Sequence, residues 1–533
     1  MASNDLKRKV GKLLIIGFDG KTLPDPIKEM IHDYHIGGII LFGRNIGTPQ
    51  ELLTLTSELQ KEAKRAGYEH PLLICVDQEN GVVRRLGEGT TIFPGAMTLG
   101  ATDDPENAFQ VGLSSGAELK ALGINWNLSP VVDVNNNPEN PVIGVRSFGE
   151  SAEKVAAFGK GLMKGMQKAG VITTLKHFPG HGDTDVDSHL DLPIISHSKE
   201  RLDEIELLPF KENIETGADT VMTAHVYFPA IEPNSGVPAT LSEKVITGLL
   251  RKELGFKGVV TTDCMEMNAI ADGIGTSRGA VEAVKAGVDL VMVSHTLEKQ
   301  LGVITEMIEA VESGELAEVK LDEANERIDV LKRKYLNWDE IPLKGHADVP
   351  DIVGSAQHKE IADEVYRQSV TIVKNDHTIP VQLNDNERVL VVCPENGTTM
   401  QVEDKRYATL SLDEAVKHYH KETDAHYYNG AISEEEIDTI VEKAKNYDFL
   451  VIGTLSIRPG SKQISLVDKL HQTGQPYVVV AMRSPYDLQY LPNVKAYINT
   501  YEFTYPMLEI TAGAIFGKEE VSGKLPVTIP SKG

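Results

Sequence analysis

Val171-Ile172-Thr173-Thr174-Leu175-Lys176 is a short apolar, β-branched run that breaks into His177-Phe178-Pro179-Gly180-His181-Gly182-Asp183-Thr184-Asp185-Val186-Asp187-Ser188-His189. The first part reads as a buried strand, the second as a shaped loop, because Gly and Pro resist helix initiation there. The same grammar recurs on either side. Runs of this kind cover Leu13–Ile16, Gly38–Phe42, Leu72–Val76, Asn125–Val134, Thr220–Tyr227, Gly258–Asp263 and Val288–Ser294, making eight in all. Between them lie helical patterns at Pro49–Ala66, Asn107–Leu122, Ala152–Ala169, Lys199–Thr216, Ser242–Leu254, Gly279–Ala286 and Glu298–Val311. Asp25–Tyr34 completes the alternation, with Asp25 expected as N-cap and Pro26 as the first helical residue. Eight strand–helix units with continuous apolar strands predict parallel pairing and an α/β fold, a (β/α)8 TIM-type barrel.

Active sites of such barrels sit at the carboxyl ends of the strands. Polar residues gather there: Asp77-Gln78-Glu79, Asp133, Lys176-His177, His225, Asp263 and His295. Within the loop after the fifth run, Asp187 and His189 are two residues apart. A turn can bring them together, and a carboxylate on one ring nitrogen fixes the imidazole tautomer and leaves the other nitrogen for a substrate. Asp263 closes an apolar strand. It could cap the following helix, but beside a histidine-rich loop a carboxylate nucleophile is the stronger reading. Two metal readings fail on spacing. The histidines follow no zinc pattern, and the Asp183-Asp185-Asp187 run lacks the glycine and the terminal glutamate of a calcium loop, with Ser188 and Ile194 in their places. No metal and no cofactor are expected.

Helical sequence continues through Leu321–Tyr335 and breaks near Pro342 and His346–Pro350. The expected division is a catalytic barrel over 1–341, a linker over 342–354, and a smaller three-layer α/β sandwich over 355–533. The latter rests on Ser355–Gln368 as helix and on Val370–Lys374, Val389–Cys393, Phe449–Thr454, Tyr477–Met482 and Ala496–Asn499 as strands.

Composition narrows the partners. The 533 residues carry 78 acidic and 53 basic side chains, a formal charge of −25, which argues against nucleic acid as a ligand. No apolar run is long enough for a membrane span, and Met1–Lys9 resembles neither a secretion signal nor a lipid-attachment site. A cytoplasmic location is therefore expected. Cys75, Cys264 and Cys393 are odd in number and far apart, so no disulfide framework is expected.

Lys176-His177-Phe178-Pro179-Gly180-His181-Gly182, followed by Asp187-Ser188-His189, resembles the signature of family 3 glycoside hydrolases, in their β-N-acetylglucosaminidase (NagZ-like) branch. Asp77-Gln78-Glu79-Asn80-Gly81 looks like that family's Asp-Gln-Glu-Gly-Gly segment. Asn140–Gly149, with Arg146-Ser147-Phe148-Gly149, looks like its arginine loop, and Leu254-Gly255-Phe256-Lys257-Gly258 leads to Asp263 as its nucleophile strand does. Val370–Lys374, Ser484-Pro485-Tyr486-Asp487-Leu488 and Gly523-Lys524-Leu525-Pro526-Val527 resemble the second domain of larger members.

The resemblance implies a retaining exo-β-N-acetylglucosaminidase acting on chitooligosaccharides or muropeptides. Asp263 would be the nucleophile and His189 the acid/base, polarised by Asp187. Asp77, Arg146, Lys176 and His177 would hold the sugar hydroxyls, with Met267 packed near the ring. The chain departs from the pattern at Asn80-Gly81-Val82, where the family has two glycines and an arginine that Arg84 or Arg85 would replace, and at Cys264, where Asp is common. Three other readings compete: a phosphorylase using the same intermediate, a β-glucosidase, and a sugar-binding protein without catalysis. The small carbohydrate is the expected partner, and the second domain is expected to pack on the barrel or on a second copy in a homodimer.

Overall fold

The computed structural model describes residues 3–187, 192–341, 348–397, 401–430 and 432–530. Eight parallel strands build the first sheet: β1 (Leu14–Ile16), β2 (Gly38–Leu41), β3 (Leu73–Val76), β4 (Trp126–Asn127), β5 (Ile172–Phe178), β6 (Thr220–Thr223), β7 (Val259–Thr262) and β8 (Val291–Val293). Each pairs with its neighbour in chain order, and β8 returns to β1. The remaining seam, β7 to β8, is closed by a parallel bridge from Thr261 to Leu290 and a bond from Thr262 N–H to Leu290 O of 3.0 Å. This is the (β/α)8 barrel read from the alternation.

The helices start and stop where local chemistry dictates. Thr48 and Glu51 form a reciprocal capping box ahead of Pro49–Arg65. Ser151 caps Ala152–Ala169, which ends on Gly170 in the left-handed conformation. Some details differ from expectation. Pro24, not Asp25, holds the cap position of Asp25–Tyr34, so Pro26 falls one place later. The Lys199–Thr216 pattern divides into Lys199–Glu204 and Leu208–Glu215, because Pro209 lacks the N–H that a continuous helix needs. Lys244–Glu253 is wound as a π-helix. The fourth run keeps only two residues of strand, after which Ser129-Pro130 leaves the ladder and Val131 touches Lys176 by a single bridge.

The second sheet contains β9 (Thr371–Asn375), β10 (Val389–Pro394), β11 (Thr423–Tyr428), β12 (Phe449–Thr454), β13 (Tyr477–Ala481) and β14 (Ala496–Asn499). Its order is β11-β10-β12-β13-β14-β9, parallel except for the antiparallel β9. Alternation along the strands separates two cores. Val389, Val391 and Cys393 face the helices next to the barrel and belong to one apolar cluster that runs unbroken into the barrel itself. Leu390 and Val392 face the opposite helix layer, with Leu450, Ile452 and Val479. The expected linker over 342–354 lies partly outside the described residues, which resume at 348.

Polar contacts reinforce the junction between the sheets. The buried Glu502 carboxylate accepts from Gly95 N–H at 2.8 Å and Thr98 Oγ1 at 2.7 Å on the barrel side. It also takes Tyr366 and Thr504 hydroxyls from its own side. His358 Nδ1 meets Glu118 Oε1 at 2.8 Å, both groups buried.

Candidate active site

A cavity of about 690 Å3 opens at the carboxyl ends of the barrel strands, a size that encloses a small ligand. Asp77, Arg146, Lys176, His177, Asp263 and Met267 all line it. Six of the eight residues read from the sequence are thus brought to one mouth. Asp187 is described and buried but does not line this cavity. His189 lies outside the described residues.

A buried ionic network braces the floor. Lys176 Nζ stands 2.8 Å from Asp77 Oδ1 and 2.7 Å from Glu79 Oε1. Arg146 reaches the same Glu79 with two bonds of 2.8 Å, one to each oxygen. A third guanidinium bond, 3.0 Å to Val142 O, anchors it to its own loop. Burial alone would raise the Glu79 carboxyl, but Arg146 and Lys176 override it and hold it well below the usual carboxylate range. Burial would likewise depress Lys176, yet Asp77 and Glu79 raise it, so the ammonium persists.

Asp133, fully buried at the end of the fourth run, organises the neighbouring loop. It lies 2.7 Å from His177 Nδ1 and accepts the main-chain N–H groups of His177 at 3.2 Å and His181 at 2.7 Å. The carboxylate therefore fixes the proton of His177 on Nδ1 and turns Nε2 toward Arg146, 3.4 Å away. Burial pushes Asp133 up, but the two histidines more than offset it and its carboxyl stays low. His181 Nδ1 is held 2.8 Å from Thr184 Oγ1, and burial pushes the ring down to about 4, so it is neutral at pH 7. Gly182 is required by close approach: a Cβ there would sit 1.7 Å from Val134 O.

Asp263 follows β7. Its N–H donates to Thr223 O at 3.3 Å and its Oδ1 accepts from Cys264 N–H at 2.7 Å. His225 Nε2 donates to Cys264 O at 3.0 Å, so the strand-end histidine steadies the peptide that carries Asp263. Burial pushes the Cys264 thiol up to about 11, which keeps it unreactive beside the carboxylate. Met267 precedes the short helix Asn268–Ala271 and is buried in the wall.

The opposite wall comes from the second sheet. Gln401–Arg406, on the segment after β10, lines the cavity. Arg85 donates to Val402 O at 2.9 Å, and Arg406 returns a bond of 3.0 Å to Arg85 O. Arg84, the other arginine considered for the departed position, points elsewhere and stacks on the Tyr407 ring at 4.2 Å. Glu403 and Asp404 thus bring two further carboxylates to the cavity. Glu403 pairs with the buried Arg483, and Arg406 grips Asp404 strongly enough to hold its carboxyl low against the effect of burial. Sequence reasoning named neither Glu403 nor Asp404, and it placed Glu79 among the polar strand ends without giving it a role. Glu79 sits in the quoted Asp77-Gln78-Glu79 run, where a buried carboxylate two residues beyond another was the available signal.

Fold and cavity together define a (β/α)8-barrel enzyme with a polar, carboxylate-bearing mouth and a second domain over it. The glycosyl hydrolase family 3 N terminal domain matches residues 5–331, and the family 3 C-terminal domain matches 370–533. The chain belongs to glycosyl hydrolase family 3 and is a glycoside hydrolase. It is 31% identical to a β-hexosaminidase A of Pseudoalteromonas piscicida, over 95% of this chain and 92% of that one. The solved structure of a family 3 β-N-acetylglucosaminidase from Paenibacillus sp. is 39% identical, with TM-score 0.91 over 99% of both chains. A β-glucoside phosphorylase is 25% identical, with TM-score 0.81 over 98% of this chain and 94% of that one.

Proposed function

We propose that the protein is a retaining exo-β-N-acetylglucosaminidase that releases terminal non-reducing N-acetylglucosamine from chitooligosaccharides or muropeptides. Asp263 attacks the anomeric carbon while His189, polarised by Asp187, protonates the departing oxygen. A glycosyl–enzyme ester results. Water, deprotonated by His189, then releases the sugar with net retention. Asp77, Lys176, Arg146 and His177 hold the sugar hydroxyls, and Met267 packs near the ring. The supporting observation is that Asp263 shares one cavity with Asp77, Lys176 and Arg146, whose charges are balanced through Glu79 behind them and suited to a neutral sugar. The likeness to enzymes named for β-N-acetylhexosaminides supports the substrate class.

A slow fluorosugar substrate followed by mass spectrometry tests this reading. The expected result is one added glycosyl mass on the peptide carrying Asp263 and none on Asp263→Asn, whose turnover falls to background. Label elsewhere, or near-normal turnover by Asp263→Asn, overturns the nucleophile assignment.

A second reading is favoured by the likeness to a phosphorylase: phosphate could take the place of water at the same intermediate. Product analysis with and without phosphate decides between free sugar and sugar 1-phosphate. The carboxylates of the second sheet are tested by Glu403→Gln and Asp404→Asn on an activated aryl glycoside. Loss of turnover with rescue by azide would move the acid/base there.

A further inference from the structure

β5 lies four strands from β1 in either direction around the barrel, so the two stand on opposite sides of the mouth. Lys176 and His177 belong to β5 and Arg146 follows β4, which puts these groups on one side. The opposite side, flanking β1, is made by the ends of β2 and β8. There Phe42, Arg44 and His295 line the cavity.

The three side chains are planar and packed together. The Phe42 and His295 ring centroids are 5.1 Å apart, with planes tilted by 34°. The Arg44 guanidinium lies over the Phe42 ring, its Cζ 4.4 Å from the centroid. Arg44 is itself pinned: Nε donates to Phe18 O at 2.9 Å and Nη2 to Ser294 O at 2.7 Å. His295 is anchored through its main chain, whose N–H donates to Glu266 Oε2 at 2.6 Å. The second-sheet segment meets this rim at Gly43, where a Cβ would collide with Asp404 and Arg406.

The charges beside the rings are matched. Arg44 Nε stands 2.8 Å from Asp19, Lys299 Nζ 3.8 Å from Glu266, and Arg406 pairs with Asp404. Burial and the Arg44 cation push His295 below its ordinary 6.5, so its ring is neutral at pH 7.

We propose that Phe42 and His295 form a stacking platform for the leaving sugar, and that it selects a neutral pyranose, as in a chitooligosaccharide, over one bearing a carboxylate. The cavity spans both sides of the mouth, so a sugar held by its hydroxyls near β5 leaves the β1 side for the ring attached to it. An aromatic face takes the C–H face of a pyranose through dispersion and apolar burial. It offers nothing to an ionised group, and Arg44 is already bonded to oxygens of Phe18, Asp19 and Ser294. The inference rests on the glycosidase reading and names the leaving group of that reaction.

The test measures kcat/KM on three unactivated N-acetylglucosaminides. They are N,N′-diacetylchitobiose, the same disaccharide with a lactyl ether carboxylate on its reducing sugar, and the methyl glycoside, which has no second ring. Wild type should prefer chitobiose to both others. Phe42→Leu keeps the bulk but loses the flat face. It should lose about fivefold on chitobiose, the scale of one aromatic contact, and under about twofold on the methyl glycoside. Phe42→Trp should stay near wild type, and His295→Asn should follow Phe42→Leu more mildly. Calorimetry gives a readout apart from turnover: in Asp263→Asn, adding Phe42→Leu should weaken chitobiose binding and leave N-acetylglucosamine binding unchanged. Equal losses on chitobiose and the methyl glycoside, or no loss on either, overturns the platform. Wild-type preference for the carboxylate-bearing disaccharide overturns the selection of a neutral ring. If wild type cleaves none of the three, the glycosidase reading falls and the platform with it.

Discussion

The two walls of the cavity are built by different means. On the barrel side, groups from three strand ends and the Asn140–Gly149 loop are buried and cross-braced through Glu79 and Asp133, so moving one charge strands another. On the second-sheet side, a single segment, Gln401–Arg406, is tied to its own domain by the buried Glu403–Arg483 pair and meets the barrel through main-chain carbonyls, with Arg85 and Arg406 exchanging bonds across the seam. The barrel wall is a property of the fold, whereas the facing wall is a property of one loop. The first favours a fixed sugar subsite and the second a leaving-group side that can change without disturbing it.

Breaking one ion pair on each wall tests this difference most severely. Glu79→Gln leaves Lys176 and Arg146 undercompensated in the interior and should destabilise the protein by about 3–5 kcal/mol, as loss of one partner of a buried pair does. Asp404→Asn, which disrupts a partly exposed pair with Arg406, should cost about 1 kcal/mol or less. Denaturant unfolding reads both. Similar costs would erase the distinction.

Acid should also act on the barrel wall. His181 is pushed down to about 4 from an ordinary value of 6.5. The unfolded chain therefore binds a proton that the folded chain refuses between those values. Its contribution is complete above pH 6.5 and is lost as the pH falls toward 4, up to about 3 kcal/mol. Glu79, held low by its cations, adds a second loss below its ordinary range near 4.5. Stability measured at pH 7 and pH 4.5 should fall less steeply in His181→Asn than in wild type. Parallel slopes would remove His181 from the acid response.

The smallest effect belongs to the facing wall. Arg406→Ala removes the bonds to Arg85 O and Ile46 O. It should raise KM severalfold for longer oligosaccharides and leave a small aryl glycoside nearly unchanged, as expected for loss of contacts made only by the leaving group. Equal change on both substrates would mean that the segment shapes the first subsite as well.

The barrel was legible because parallel strands buried on both faces read as unbroken apolar runs with polar residues at one end. That pattern led to Asp77, Lys176, His177 and Asp263 without any pairing information. Asp133 was visible only as a strand end, since nothing local reports that its carboxylate would gather His177 and His181. The edge strand β11 was missed: Thr423-Asp424-Ala425-His426-Tyr427-Tyr428 is half exposed and mixes charge with aromatic rings. The reach of Gln401–Arg406 into the cavity was missed for a deeper reason. It depends on where the second sheet docks, and docking is specified by the apolar faces of distant helices rather than by the segment itself.

The unbroken apolar cluster shared by barrel and second sheet has a calorimetric meaning. Elements that bury one continuous interior lose it together, so neither sheet has a melting temperature of its own. Heating should give a single endotherm whose enthalpy scales with the whole chain, and the barrel cut free of its partner would present to water the face it now uses to hold the molecule together.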